Sequence, residues 1–282
     1  MATPSSTAYA VGSFYVSGAD HEVRRLRMQV DISWPKEAAL LRRIGLRPDM
    51  SIVELGCGPG FVTEKLVTLV PDGSVTAIEL DAEVAARTDA RLRAQGCERY
   101  RIVCADVRRN DLPAGTFDLA FARYLFLHLP DPLAAMRETL RLLKPGGTLI
   151  TLDIDATLDD CEPTFPEFEM LREGFENFFR LRGTDSRFGR RKQRRLLREA
   201  GFHEVEVDSV VVDSDELGTL EPFVRTAMDP DVIGRTLVAL GLWSSDELER
   251  YTGALHRFMN SEQPFLFQAR PVAWGRKPLE AP

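Results

Sequence analysis

The stretch SIVELGCGPGF, residues 51–61, decides the fold. Ile52 and Val53 are β-branched and suit a buried parallel strand, and Glu54 closes that run before Gly56, Gly58 and Gly60 follow at alternate positions. Glycines so spaced permit a tight turn and let a ligand approach the main chain with no side chain in its way. Phe61, Lys65, Leu66 and Leu69 then recur at helical spacing, so the turn joins a strand to a helix N-terminus. This is the first half of a βαβ unit.

The second strand is SVTAIEL, residues 74–80, introduced by the turn Pro71, Asp72, Gly73. It ends at Glu79, about twenty positions beyond the glycines, where a carboxylate can accept from both hydroxyls of a ribose. The loop is not a dinucleotide fingerprint. GCGPG lacks the third glycine of GxGxxG, and Pro59 stands where a pyrophosphate would need a main-chain donor. The expected cofactor therefore carries a nucleoside and no pyrophosphate.

Strands and helices go on alternating. Residues 82–95 pattern as a helix, 101–104 as a third strand, 117–122 as a fourth, and 133–143 as a helix stopped by KPGG ahead of a fifth strand at 148–154. A basic helix over 187–200 stops at Gly201, the alternation Val205, Val207, Ser209, Val211 marks a sixth strand, and 264–274 a seventh. Upstream, 21–45 is helical in pattern, with Pro35 expected to divide it into two helices. The alternation predicts a doubly wound sheet with its ligand at the carboxyl ends of the strands.

In five segments, spanning roughly residues 52–207, the chain resembles the class I S-adenosylmethionine-dependent methyltransferases. ELGCGPG is similar to that family's first motif, IELD to its ribose motif, and CADVRRNDLP to its adenine motif. FDLAFARYLFLHLPDP is similar to the fourth-strand motif and LLKPGGTLI to the entry of the fifth strand. The resemblance implies an α/β, Rossmann-like, seven-stranded and mostly parallel sheet with helices on both faces, its last strand antiparallel, plus helical N-terminal and lid insertions. It implies a helical cap over the cofactor site at 1–45, and a methyltransferase domain at 46–282 with insertions at about 155–185 and 213–263. It also implies that S-adenosyl-L-methionine meets Gly56, Cys57, Gly58 and Gly60, with Glu54 toward the methionine ammonium. Glu79, beside Leu80, would take the ribose, Asp106 and Val107 the adenine, and the Ala122 carbonyl the methionine portion.

Several residues have two readings each. Asp106 could instead cap a turn. Arg123 could line the pocket or pair with an acid. His128 could serve as a general base, its ordinary pKa of about 6.5 suiting the task, or pack beneath its loop. Tyr15, Glu22, Arg25, Leu26 and Gln29 resemble a pattern of a bacterial small-molecule branch of the family, which implies that Arg25 pairs with the cofactor carboxylate while Tyr15 and Gln29 close over it. The alternative is a solvated helix face. Phe165, Phe168, Phe175, Phe178 and Phe179 could line an apolar acceptor pocket, or pack into a core or a partner in a homodimer. RFGRRKQRR, residues 187–195, could draw acidic substrates or simply be solvated.

Composition narrows the function. Across 282 residues, 36 Lys and Arg face 43 Asp and Glu, and a net charge of −7 disfavours a nucleic-acid partner. FARYLF also lacks the (D/N/S)PP(Y/F/W) run of base amino-methylating families. No apolar run has membrane-spanning length and the first residues lack a leader pattern, so a cytoplasmic protein without membrane contact is expected. The four cysteines (57, 97, 104, 161) and four histidines (21, 128, 203, 256) show no metal-ligand spacing, so no catalytic metal is expected. The resulting expectation is methyl transfer to an N, O or C nucleophile of a small-molecule acceptor by in-line displacement. Alignment in a dry pocket can supply ~7–11 kcal/mol of such a barrier. The alternatives are a non-catalytic cofactor-binding partner subunit and an RNA or protein methyltransferase.

Overall fold

The structure, a computed structural model, describes residues 18–279. Tyr15 lies outside them. The chain clusters into two compact units, and three separate segments build each. Of the described residues, a sheet unit takes Lys36–Ile154, Phe188–Ser209 and 271–279; a helical unit takes 18–35, Asp155–Arg187 and Val210–Arg270.

The first helix, α1 (Ala19–Ile44), runs unbroken through Pro35, which corrects the expected pair of helices. Proline deprives the carbonyl four residues earlier of its donor. Here Asp31 and Pro35 are both exposed, so water can serve that carbonyl, while buried Val30, Trp34, Ala38 and Leu41 hold the helix on either side. The division between the units falls within this helix, after Pro35.

The sheet unit is built on β1 (Ser51–Leu55), β2 (Ser74–Glu79), β3 (Tyr100–Cys104), β4 (Phe117–Arg123), β5 (Leu143–Leu152) and the second half of β8 (Phe265–Arg276). The strand order is β3-β2-β1-β4-β5-β8, with every pair parallel except β5 with β8. Four consecutive residues of β1, Ile52 to Leu55, are buried. Successive side chains point to opposite faces of a strand, so this sheet is covered on both. Its helices are α2 (Phe61–Leu69), α3 (Ala82–Ala94) and α4 (Pro132–Leu142).

Two boundaries differ from expectation. The fifth strand begins at Leu143 and takes in Lys144 to Gly147, because Gly146 and Lys277 exchange hydrogen bonds with each other's neighbourhood (Gly146 amide to the Lys277 carbonyl, 3.0 Å; Lys277 amide to the Gly147 carbonyl, 2.8 Å). The basic helix is two pieces, Phe188–Arg191 and Gln193–Ala200. Buried Gln193 sits at the join, donating to the carbonyls of Gly189 (2.9 Å) and Pro271 (3.2 Å) and accepting from the Thr151 hydroxyl.

In the helical unit, α5 (Pro166–Leu181) and the helix Ser245–Met259 pack by their apolar stripes. Phe165 lies 5.3 Å from the Phe258 ring and Phe178 meets Phe179 edge to face at 5.5 Å. Phe168, Phe178 and Phe179 are buried in the core of this unit, while Phe165 and Phe175 are half-buried at its edge. An eighth strand that no pattern foretold, β6 (Asp160–Glu162), pairs antiparallel with Phe265 to Phe267 of β8. The sixth strand of the sequence reading is β7 (His203–Asp213), which pairs with β8.

Candidate cofactor site

The loop after β1 is held in a conformation only glycine takes without strain. Gly56, Gly58 and Gly60 have φ of +67°, +50° and +75°. Their surroundings differ. A Cβ on Gly56 would meet a Leu125 methyl at 2.7 Å, and one on Gly60 would meet the Thr88 methyl at 2.4 Å. A Cβ on Gly58 would meet nothing within 4 Å. Two of the glycines answer to the protein's own packing, and the middle one fronts open space.

The ends of the neighbouring strands converge on that loop. Glu79, last in β2, accepts the Gly58 amide at 2.9 Å on one oxygen and the Asp81 amide at 3.0 Å on the other. Each oxygen keeps a lone pair for a further donor. Cys57 is buried, its amide bonded to the Ile78 carbonyl at 2.9 Å, and burial pushes its thiol far above the ordinary range. Leu80 is exposed, while Val107 and Ala122 are buried.

Glu54 is the most perturbed acid of the loop region. It is 4% exposed, and burial raises its pKa to about 8. The Thr63 hydroxyl, donating at 2.6 Å, and the Arg123 charge oppose the rise; the Glu79 charge adds to it. At neutral pH the free protein therefore holds Glu54 largely as the neutral acid. A cation brought beside it would drive the proton off.

Asp106 follows β3 and closes a turn. Its carboxylate accepts the Arg108 amide at 2.8 Å and the Arg108 guanidinium at 2.6–3.1 Å, and that guanidinium holds the acid below its usual range. Arg123, ending β4, is buried against Glu37 of α1, with Nε 3.0 Å from each oxygen, and lies over the Tyr124 ring. Of its two readings the structure shows the ion pair, and its acid is buried. His128 ends the single turn Phe126–His128 and is half-buried. Arg25 and Gln29 belong to the helical unit. There Arg25 is buried, bidentate on Glu22 at 2.8 Å and donating to the Thr226 carbonyl at 3.1 Å.

Sequence reasoning missed three groups. Thr88 and Arg91 of α3 reach the loop: Thr88 donates to the Gly58 carbonyl (2.7 Å), and Arg91 to those of Pro59 (3.0 Å) and Gly60 (2.8 Å). Asp153, just past β5, is fully buried, and burial pushes it well above the carboxylate range. The amides of Leu127, Phe126 and Ile154 pull it the other way, yet neither oxygen has a hydrogen bond of ordinary geometry. An acid inside the apolar run TLDID was the only signal for it. Among the described residues no cluster of His, Cys, Asp and Glu could hold a metal, and no helix is long and apolar enough to cross a membrane.

A loop open at one glycine, a strand-end carboxylate beside it and a buried acid under it suit a nucleoside joined to a cationic group. Residues 53–151 match the family model described as methyltransferase domain. The chain is 36% identical over 134 residues to the trans-aconitate 2-methyltransferase of Azoarcus sp. (strain BH72), covering 48% of each protein. It is 34% identical over 112 residues to the ubiquinone biosynthesis O-methyltransferase of Xanthomonas campestris pv. campestris, covering 39% of this chain and 45% of that one. The chain spans about half the length of the curated relatives it matches. Among solved structures, the phosphoethanolamine N-methyltransferase 2 of Haemonchus contortus, in complex with phosphomonomethylethanolamine and S-adenosylhomocysteine, shares the fold at a TM-score of 0.56. It is 17% identical, with 87% of this chain and 53% of that one covered.

Proposed function

We propose, from the match of residues 53–151 to the methyltransferase domain model, that the chain is a class I S-adenosylmethionine-dependent methyltransferase and methylates an N, O or C nucleophile of a small-molecule acceptor. The observation that carries the reading is the Glu79 carboxylate, bonded to the Gly58 amide at 2.9 Å beside the one loop glycine that fronts open space. When bound, S-adenosylmethionine supplies a methyl group on a cationic sulfur. Glu79 would accept from the ribose hydroxyls, Glu54 would ionise against the methionine ammonium, and Asp106 and Val107 would take the adenine. The buried Ala122 carbonyl region would border the methionine portion. Relatives and a fold neighbour named for small acids, quinone precursors and phosphobases support a small acceptor.

Gln29 and Tyr15 are further proposed contacts of the cofactor, whereas Arg25, bidentate on buried Glu22, is read as structural. His128 is the proposed general base for an acceptor that must lose a proton, a role worth ~10²–10⁴-fold.

Calorimetric titration of the full chain with S-adenosylmethionine and, separately, NADH tests the reading. Micromolar binding of the first, weakened by Glu79→Ala, with none of the second, is the expected result. Binding of NADH alone would overturn it. A panel of carboxylate, phenol and amine acceptors, followed by S-adenosylhomocysteine release, then separates the enzyme from a cofactor-binding partner subunit. A His128→Gln variant that binds cofactor yet turns over at the wild-type rate would remove the base.

A further inference from the structure

Three consecutive carbonyls of the cofactor loop are captured from one side by one helix. Thr88 of α3 takes the carbonyl of Gly58 at 2.7 Å, and Arg91, one turn on, takes those of Pro59 at 3.0 Å and Gly60 at 2.8 Å. The guanidinium is itself fixed. Its Nη1 donates to Glu64 of α2 at 2.7 Å and to Gln95 at 2.6 Å, and its plane lies over the Phe61 ring at 4.7 Å. Arginine is suited to this because one rigid fork can serve several acceptors at once.

The amide side of the loop is fixed by the same segment of chain. Glu79 accepts the Gly58 amide on one oxygen and, on the other, the amide of Asp81, which caps α3 by accepting from Glu83 and Val84. Gly58 is thus gripped by its N–H from the end of β2 and by its C=O from α3. In a trans peptide the carbonyl and the next amide point opposite ways. Holding the carbonyls of Pro59 and Gly60 toward α3 therefore turns the amides of Gly60 and Phe61 away from it. Packing reinforces the hold. Thr88 is 2% exposed and its methyl fills the space a Gly60 side chain would need.

We propose that Thr88 and Arg91 are positioning residues: they hold the residue 58–60 main chain in its cofactor-ready conformation, so that losing them costs cofactor affinity rather than the fold. The proposal rests on the reading of this loop as the S-adenosylmethionine site. It distinguishes Arg91 from a generic helix arginine, whose loss would leave affinity alone.

The test is calorimetric titration of S-adenosylhomocysteine into the full-length wild type and its Thr88→Val, Arg91→Lys and Arg91→Ala variants. Melting temperature without ligand and hydrogen exchange of the loop amides accompany it. A hydrogen bond of ordinary strength corresponds to a factor of about 2–12 in Kd. Thr88→Val, which keeps the packing shape, should weaken binding by about threefold, and Arg91→Ala by about tenfold or more. Arg91→Lys, which can keep the charge and one carbonyl, should fall between. Exchange at Gly60 and Phe61 should quicken while that of Val53 and Ile78 does not. Wild-type affinity in all three variants, whatever their melting temperatures, would overturn the proposal. A wild type that binds neither S-adenosylhomocysteine nor S-adenosylmethionine would overturn the cofactor reading first and this proposal with it.

Discussion

The cofactor loop and the helical unit use their polar groups differently. Around the loop, Glu79, Thr88 and Arg91 hold main chain, and Asp106 holds the Arg108 amide in the turn after β3, although elsewhere in the sheet unit Arg123 and Glu37 pair side chain to side chain. In the helical unit, Glu22 with Arg25 and Asp159 with Arg270 pair side chain to side chain. Side chains that hold main chain leave a shaped loop able to meet a ligand. Side chains that hold one another lock a core. The comparison assigns ligand duty to the first set and structural duty to the second, and it can be broken at definite places.

Arg25→Ala should give the largest effect. It strips the guanidinium from Glu22, which is 1% exposed, and breaking a buried pair from one side costs about 3–5 kcal/mol. Thermal unfolding should show the loss, with S-adenosylhomocysteine affinity unchanged in the folded fraction. If the variant instead kept its melting temperature and lost affinity, Arg25 would move to the ligand set, as its resemblance to the family pattern implies.

Glu54 crosses the comparison, being buried yet paired to neither kind of partner beyond Thr63. An acid whose folded pKa, about 8, lies above its ordinary value of 4.5 is protonated in both states at low pH. As pH rises from about 4.5 to about 8 the unfolded chain ionises first, so the folded state loses stability across that window. Each unit of separation is worth about 1.4 kcal/mol. Glu54→Gln should flatten the fall in melting temperature between pH 5 and pH 8. It should also weaken S-adenosylmethionine, whose ammonium would have drawn the proton off. Wild-type binding measured in buffers of different ionisation enthalpy should report a released proton.

The loop glycines separate packing from ligand space. Gly60→Ala combines a φ of +75° with a contact of 2.4 Å to the Thr88 methyl, so roughly 2–4 kcal/mol of stability should go. Adding Thr88→Ser, which deletes that methyl, should recover part of it. Gly58→Ala meets no neighbour and should cost only about 1–2 kcal/mol, the price of its positive φ. Its larger effect should be on cofactor affinity. Equal affinity in Gly58→Ala and wild type would mean that the open space there is not ligand space.

What was legible beforehand follows the same division. The glycines, Glu54 and Glu79 announce themselves because the constraint on each is local: a positive φ, or the end of a β-branched run. Thr88 and Arg91 could not be picked out, since α3 also carries Arg87 and Arg93, and nothing in the spacing says which arginine faces the loop. Pro35 reads as a helix break in the sequence because the exposure that makes its missing bond tolerable is a property of the packed helix. Strand β6, three residues long, has too little pattern to be seen before β8 pairs with it. The phenylalanines of α5 left pocket and core both open by type alone, and burial with ring contacts makes Phe168, Phe178 and Phe179 core.

The smallest predicted effect makes the sharpest control. Arg87 and Arg91 lie one turn apart on α3, and both are ion-paired to a glutamate. Arg87 and its partner Glu83 are 72% and 73% exposed, whereas Arg91 and Glu64 are 24% and 19% exposed. An exposed pair gains little in water because solvent screens it and both long side chains must be ordered. Arg87→Ala should therefore leave the melting temperature within about 2 °C and the cofactor affinity within error. The same substitution four residues later should weaken binding by about tenfold, because there the guanidinium holds two carbonyls of the loop. If the two variants behaved alike, the charge of α3 rather than its grip on the main chain would be what matters, and the distinction between holding backbone and holding side chains would fail where it is most specific.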